Sequence, residues 1–273
     1  MANDLSNLAV HTMTNKPWTL RQCIDAYTQA GVGGTSVWRN VIEPIGVEEA
    51  GKMLRDSGLK VPALVRGGFF PATDLNDRQK AIDDNLQYID EAAEIGAEMV
   101  VLVVGAVPGM PLDEARKHVA DGIGALLQHA ESKGVKLAIE PLHPMYAADK
   151  SCINRMREAR EICEQLSHPM LGIAVDVYHV WWDPELEQEI ALAGKQNTLF
   201  ALHLCDWRVN TRHLLTDRGL MGDGCIDIKT IRHWVQQAGF NGIDEVEVFS
   251  EAYWAMDQQA YLDKIIERYR GCI

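Results

Sequence analysis

What the chain lacks narrows it first. Its 273 residues carry 26 Lys and Arg against 39 Asp and Glu, a formal charge of −13. Phosphate backbones and anionic membrane surfaces demand a basic surplus, so neither nucleic acid nor membrane is expected as a partner. No apolar stretch approaches the ~18 residues of a membrane-spanning helix. The start, MANDLSNLAV, lacks a basic segment followed by a long apolar run, so no signal peptide is expected. None of the six cysteines forms a CxxC pair. They read as reduced, mostly buried thiols of a cytoplasmic protein. No GxGxxG follows the first apolar run, which removes support for a dinucleotide-binding open sheet. No Gly-rich loop with a Lys is present to cradle phosphate. No low-complexity or Pro/Ser-rich linker interrupts residues 1–273, which therefore read as one domain. The 47% of hydrophobic residues suffices for a large core.

What is there is a rhythm of short apolar runs and longer amphipathic stretches. The pattern predicts strands at Leu5–Val10, Thr35–Trp38, Val61–Val65, Met99–Val104, Lys136–Ile139, Leu171–Val175, Thr198–Leu204 and Glu245–Phe249. It predicts helices at Thr19–Ala30, Val47–Ser57, Leu75–Ile95, Leu112–Lys133, Met156–Leu166, Glu185–Ala193, Ile228–Ala238 and Asp257–Tyr269. Strict alternation means parallel strands joined by right-handed crossovers. Eight such repeats fit a closed (β/α)8 TIM barrel of the α/β class, for which ~250 residues is typical.

In such barrels the chemistry sits at the C-terminal ends of the strands. LAIEP places Glu140 at the tip of the fifth predicted strand. GIAVDVYH places Asp176 at the tip of the sixth, with His179 three residues on. FALHLCD places His203 near the end of the seventh and Asp206 beyond it. EVEVF carries Glu245 and Glu247 on one face of the eighth, at period two. Each has an ordinary explanation alone. A Glu before Pro is often a solvated strand end, an Asp at a strand tip often caps the next helix, and a His in an apolar run is often a core residue. Together they are harder to explain away. Three carboxylates and an imidazole on one rim are costly to bury unless paired or joined by a cation. An oxygen-rich set with one imidazole suits Mn²⁺, Mg²⁺, Co²⁺ or Fe²⁺, whereas structural zinc sites favour thiolates.

At KLAIEPLHP, LGIAVDVYHV, ALHLCDW and GFNGIDEVEVFSEAYW the sequence resembles the sugar isomerase/epimerase superfamily of xylose isomerase-like TIM barrels. Within it, the likeness is to the inosose isomerase and ketose 3-epimerase branch. DRGLMGDGCIDI, at Asp217–Ile228, resembles that family's loop before the seventh helix. The resemblance implies one divalent metal ion held by Glu140, Asp176, His203 and Glu247. Mn²⁺ is the first expectation, with Mg²⁺, Co²⁺, Fe²⁺ or Zn²⁺ as alternatives. Glu247 is preferred to Glu245 because the family pattern G-Y/F-x-G-x-x-x-x-E starts here at Gly239. The resemblance also implies catalytic roles for Glu140, Glu247 and His179, and a substrate contact from Arg218. Asp206, Arg208, His143 and Trp38 are further substrate-binding candidates. Trp38, Phe69, Phe70, Tyr178, Trp181, Trp182, Trp207, Tyr253 and Trp254 are expected near strand ends as pocket walls, aromatic enough for a larger or aryl-bearing substrate.

The implied reaction is isomerisation or epimerisation of a non-phosphorylated sugar, ketose or keto-cyclitol. It proceeds by proton abstraction α to a carbonyl through a metal-stabilised enediolate. The same first step serves a lyase, either a 3-keto-glycoside deglycosidase or a cyclic keto-acid dehydratase, and the ligand set does not separate them. A homo-oligomer, dimer or tetramer, is implied as well. The nuclease branch of the superfamily uses early histidines for extra metals. Here no His occurs between His11 and His118, so a DNA-repair role does not fit.

Overall fold

The computed structural model describes residues 4–272. Eight parallel strands form one curled sheet: β1 (Leu8–Val10), β2 (Val37–Trp38), β3 (Ala63–Gly68), β4 (Met99–Val103), β5 (Lys136–Ile139), β6 (Leu171–Asp176), β7 (Leu199–Leu204) and β8 (Asp244–Val246). Each strand from β2 to β8 pairs with the next, and β8 pairs with β1. The remaining seam lies between β1 and the chain leading into β2. There Val10 N–H donates to Gly34 O at 3.2 Å and Thr12 N–H to Ser36 O at 2.9 Å, which closes the ring. The fold is the TIM barrel that the alternation predicts.

The helices are α1 (Leu20–Ala30), α2 (Val47–Ser57), α3 (Leu75–Ile95), α4 (Leu112–Lys133), α5 (Met156–Leu166), α6 (Val177–Val180), α7 (Leu186–Lys195) and α8 (Ile228–Gln237) between strands, and α9 (Glu251–Trp254) and α10 (Gln258–Cys272) after β8. Local chemistry sets their ends. Thr19 and Gln22 form a reciprocal capping box that starts α1, and Gly31, at φ 76°, ends it. Asp74 accepts the N–H groups of Asn76 and Asp77 to start α3. The short helices α6 and α9 were not predicted, because four residues are too few to show a period.

Burial is divided between two layers. The larger core lies between strands and helices and includes Leu8, Leu64, Leu102, Ile139 and Ile173. A smaller cluster fills the barrel interior: Ala63, Val65, Met99, Val101, Ala138, Ala174 and Ala201. Strand side chains alternate between these layers at period two. Whatever lies two residues beyond the interior alanines therefore faces the mouth of the barrel.

Candidate active site

Two residues beyond Ala138, Ala174 and Ala201 stand Glu140, Asp176 and His203. Small side chains floor the barrel, and ionisable ones occupy the next layer up. The sheet register sets Asp176 beside His203, and His203 beside Glu245. Glu247 lies just past β8, with its N–H donating to Leu204 O at 3.1 Å. One ligand atom from each of Glu140, Asp176, His203 and Glu247 lies within 4.8 Å of the others, and all four residues are buried.

The electrostatics of this quartet are strained. Burial pushes the Asp176 carboxyl up to about 7, with Glu247 and Glu140 adding to the rise and Arg218 opposing it. Burial alone would lower His203, but Glu245 and Glu140 hold it up to about 10. Its Nδ1 is 2.9 Å from Glu140 Oε1. Burial would raise Glu247, yet His11 and Arg218 hold it well below the usual carboxylate range. Arg218 is the buried cation that tempers the cluster. It donates from one terminal nitrogen to Asp176 Oδ2 at 3.0 Å and to Glu247 Oε2 at 3.1 Å. The loop carrying it is tied down by Arg218 N–H to Phe249 O and Gly219 N–H to Asp206 O, at 2.9 and 2.8 Å. Three carboxylate oxygens and one imidazole nitrogen, buried at one point, suit a hard or borderline divalent cation.

His179 completes the inner wall. The backbone N–H of His143 donates to its Nδ1 at 3.2 Å. Its Nε2 lies 3.5 Å from Asp176 Oδ2 and 3.2 Å from a terminal nitrogen of Arg218, a group that can only donate. Burial, reinforced by Arg218, keeps His179 neutral, well below the usual histidine range. Glu140, Glu247, His179, Arg218 and Trp38 share one cavity with Arg66, Tyr146, Lys150 and Phe249.

The structure does not bring every candidate there. Asp206 accepts N–H groups from Trp207, Ile226, Gly222 and Gly224 at 2.8–3.0 Å, so its carboxylate organises the loop after β7. Arg208 turns to a separate depression, 3.8 Å from Asp217 and stacked over Tyr253 at 4.9 Å. The His143 ring packs between Trp182 and Trp207 rather than lining the cavity, with centroids 5.8 and 5.0 Å away. Much of the expected aromatic wall packs against other rings instead. Tyr178 stacks on Trp207 at 4.7 Å, and Tyr253 on Tyr261 at 4.7 Å.

Sequence reasoning passed over His11. Its Nε2 is 3.1 Å from Glu245 Oε2 and its Nδ1 is 3.1 Å from Glu247 Oε1. Ser36 Oγ donates to the same Glu245 oxygen at 2.5 Å. Glu245 thus stands behind the quartet, 3.8 Å from His203 Nε2. The available signal was a His directly after the first strand, in LAVHT, at the level where other strands deliver their polar residues.

A family model described as xylose isomerase-like TIM barrel matches residues 24–269. The chain belongs to this family. A solved structure of a protein from Sinorhizobium meliloti 1021 is 48% identical, with a TM-score of 0.96, over 98% of this chain and 99% of that one. A ketose 3-epimerase of Arthrobacter globiformis is 24% identical over 220 residues, 77% of this chain and 71% of that protein. A 3-dehydroshikimate dehydratase of Pseudomonas putida is 22% identical over 248 residues. That match takes in 87% of this chain but only 37% of the dehydratase, so the chain spans well under half of that relative. These two curated relatives are enzymes, and among the described residues no helix is long and apolar enough to cross a membrane.

Proposed function

We propose that the chain is a divalent-metal-dependent isomerase or epimerase of a non-phosphorylated sugar, ketose or keto-cyclitol. The observation that carries this reading is the buried quartet Glu140, Asp176, His203 and Glu247 at the mouth of the barrel, opening onto a cavity that also holds His179 and Arg218. Those four residues would hold the ion, with Mn²⁺ the first expectation. When bound, a divalent cation supplies Lewis-acid polarisation of a carbonyl and a neighbouring hydroxyl.

The chain's own groups do the rest. Glu140 and Glu247 reach the cavity from two different strand ends and serve as the pair that removes and returns the proton α to the carbonyl. Return on the other face of the same carbon gives an epimer. Return at the neighbouring carbon gives the aldose–ketose isomer. His179 contacts a substrate oxygen through its ring and stays neutral while doing so. Arg218 bridges Asp176 and Glu247, offsets part of their repulsion, and closes one side of the cavity.

A second reading has its own support. The dehydratase match extends over more of this chain than the epimerase match does. Loss of the same proton, followed by expulsion of a group β to the carbonyl, would make the chain a lyase. A mass-resolved screen of ketoses, inososes, keto-glycosides and cyclic keto acids separates the two, because isomerisation conserves mass and elimination does not. Glu140→Gln is expected to abolish turnover in either case while the melting curve stays cooperative. Full activity in that variant would remove Glu140 from the reaction.

A further inference from the structure

Two cations line the cavity wall with little to neutralise them. Arg66, on β3, is half-buried and makes no ion pair among the described residues. Its guanidinium carbon lies 4.8 Å from the Phe69 ring and 5.9 Å from the Trp38 ring. Such rings brace a guanidinium plane but leave its N–H edge without an acceptor. Lys150 is also half-buried, and its one ion pair is a long contact of 3.8 Å to its neighbour Asp149, whose side chain is 57% exposed. The third cation of the cavity, Arg218, is already committed to Asp176 and Glu247. Much of the remaining wall is apolar: Val65, Val103, Leu142, Leu215 and Phe249.

This wall matches a neutral polyol poorly. Ring hydroxyls would face apolar side chains, and both cations would keep no partner. It matches a ring or short chain with an anionic end. In a chain of net charge −13 the overall field repels anions, so an anionic substrate needs local cations of this kind. We propose that the substrate carries a carboxylate, which Arg66 and Lys150 bind while its carbonyl end meets the Glu140–Asp176–His203–Glu247 quartet. The proposal rests on the reading of the site as one for proton removal α to a carbonyl. A carboxylate is favoured over a phosphate because the sequence holds no Gly-rich loop with a Lys to cradle phosphate.

Calorimetric titration of the metal-loaded protein tests this with matched ligands. Fructose is set against fructuronate and against fructose 6-phosphate, and a neutral inosose against 3-dehydroshikimate. In at least one pair the carboxylate is expected to bind about tenfold or more tightly than its neutral partner. Arg66→Gln and Lys150→Gln should each weaken the carboxylate about tenfold, leaving metal affinity and neutral-ligand affinity unchanged. Equal binding of neutral and charged partners, tighter binding of the phosphate, indifference to both substitutions, or no binding at all would overturn it. Turnover confined to neutral ligands would keep the proposed reaction and sink the carboxylate. Selective carboxylate binding without isomer or elimination product would do the reverse.

Discussion

Asp176 spends its two carboxylate oxygens differently. Oδ1 accepts the Tyr178 N–H at 2.8 Å and so caps α6, while Oδ2 faces Arg218 and the quartet. The cap and the candidate ligand, alternatives when read from sequence, are two halves of one side chain. Its neighbour His203 holds a proton up to about 10, and Asp176 holds one up to about 7. A metal ligand must be deprotonated. At pH 7 the metal-free His203 is therefore charged and Asp176 is partly protonated, so loading a divalent cation should expel roughly one to two protons. The sign follows: metal affinity should climb as pH rises from 5 to 8, because fewer protons compete. Calorimetry in buffers of different ionisation heat reads the number directly. A binding enthalpy that ignores the buffer would contradict these ionisation states. His11 shows what a single chain cannot reveal at this scale. Its partner Glu245 is 234 positions away, and nothing local to LAVHT distinguishes an inward-facing His from one in the core.

The elements were legible where periodicity runs long. The helices α2, α3, α4 and α5 have the bounds that the sequence pattern predicts. Strand ends were less legible, and the site depends on them. The sequence pattern places the third strand at Val61–Val65. Instead β3 runs on to Gly68, its register to β4 slipping between Val65 and Gly67. That bulge lies at Arg66, which lines the cavity. Gly68 sits at φ 111°, and a Cβ there would come within 2.0 Å of the Val103 carbonyl oxygen. Both the backbone angle and the space demand glycine. Gly68→Ala should destabilise the protein by about 3 kcal/mol or more, read from a denaturant melt. A loss under about 1 kcal/mol would mean that the β3–β4 edge relaxes freely. At the other end, β8 stops at Val246 rather than Phe249. Glu247 therefore reaches the quartet from the first residue past the strand, a placement that period-two counting gets right without the strand being so long. Asp206 shows the limit of reading strand tips. Its position after β7 resembles that of a ligand, but four backbone N–H groups claim it.

The whole molecule explains why the barrel could be read and its site only in outline. Alternation of eight strands and helices is a property of neighbouring residues, so it survives in one sequence. The quartet is assembled from four different strand ends, 140 to 247, which only closure of the ring brings together. Sequence could supply the residue types and their level on each strand, but not that Arg218 would cross from the loop after β7 to hold Asp176 and Glu247. The charge of −13 takes on a similar meaning. It describes the surface, whereas the cavity combines buried acids at its base with Arg66, unpaired among the described residues, and weakly paired Lys150 on its wall. The buried acids and His203 are proposed to form one cation site. Metal content and melting temperature, followed as chelator-stripped protein is reloaded with Mn²⁺, Co²⁺, Zn²⁺ or Mg²⁺, read this out. About one ion per chain and a rise of roughly 5–10 °C at a hundredfold excess over Kd are expected. Asp176→Asn should lose both. Protein that takes up none of these ions, and melts at the same temperature with and without them, would contradict it.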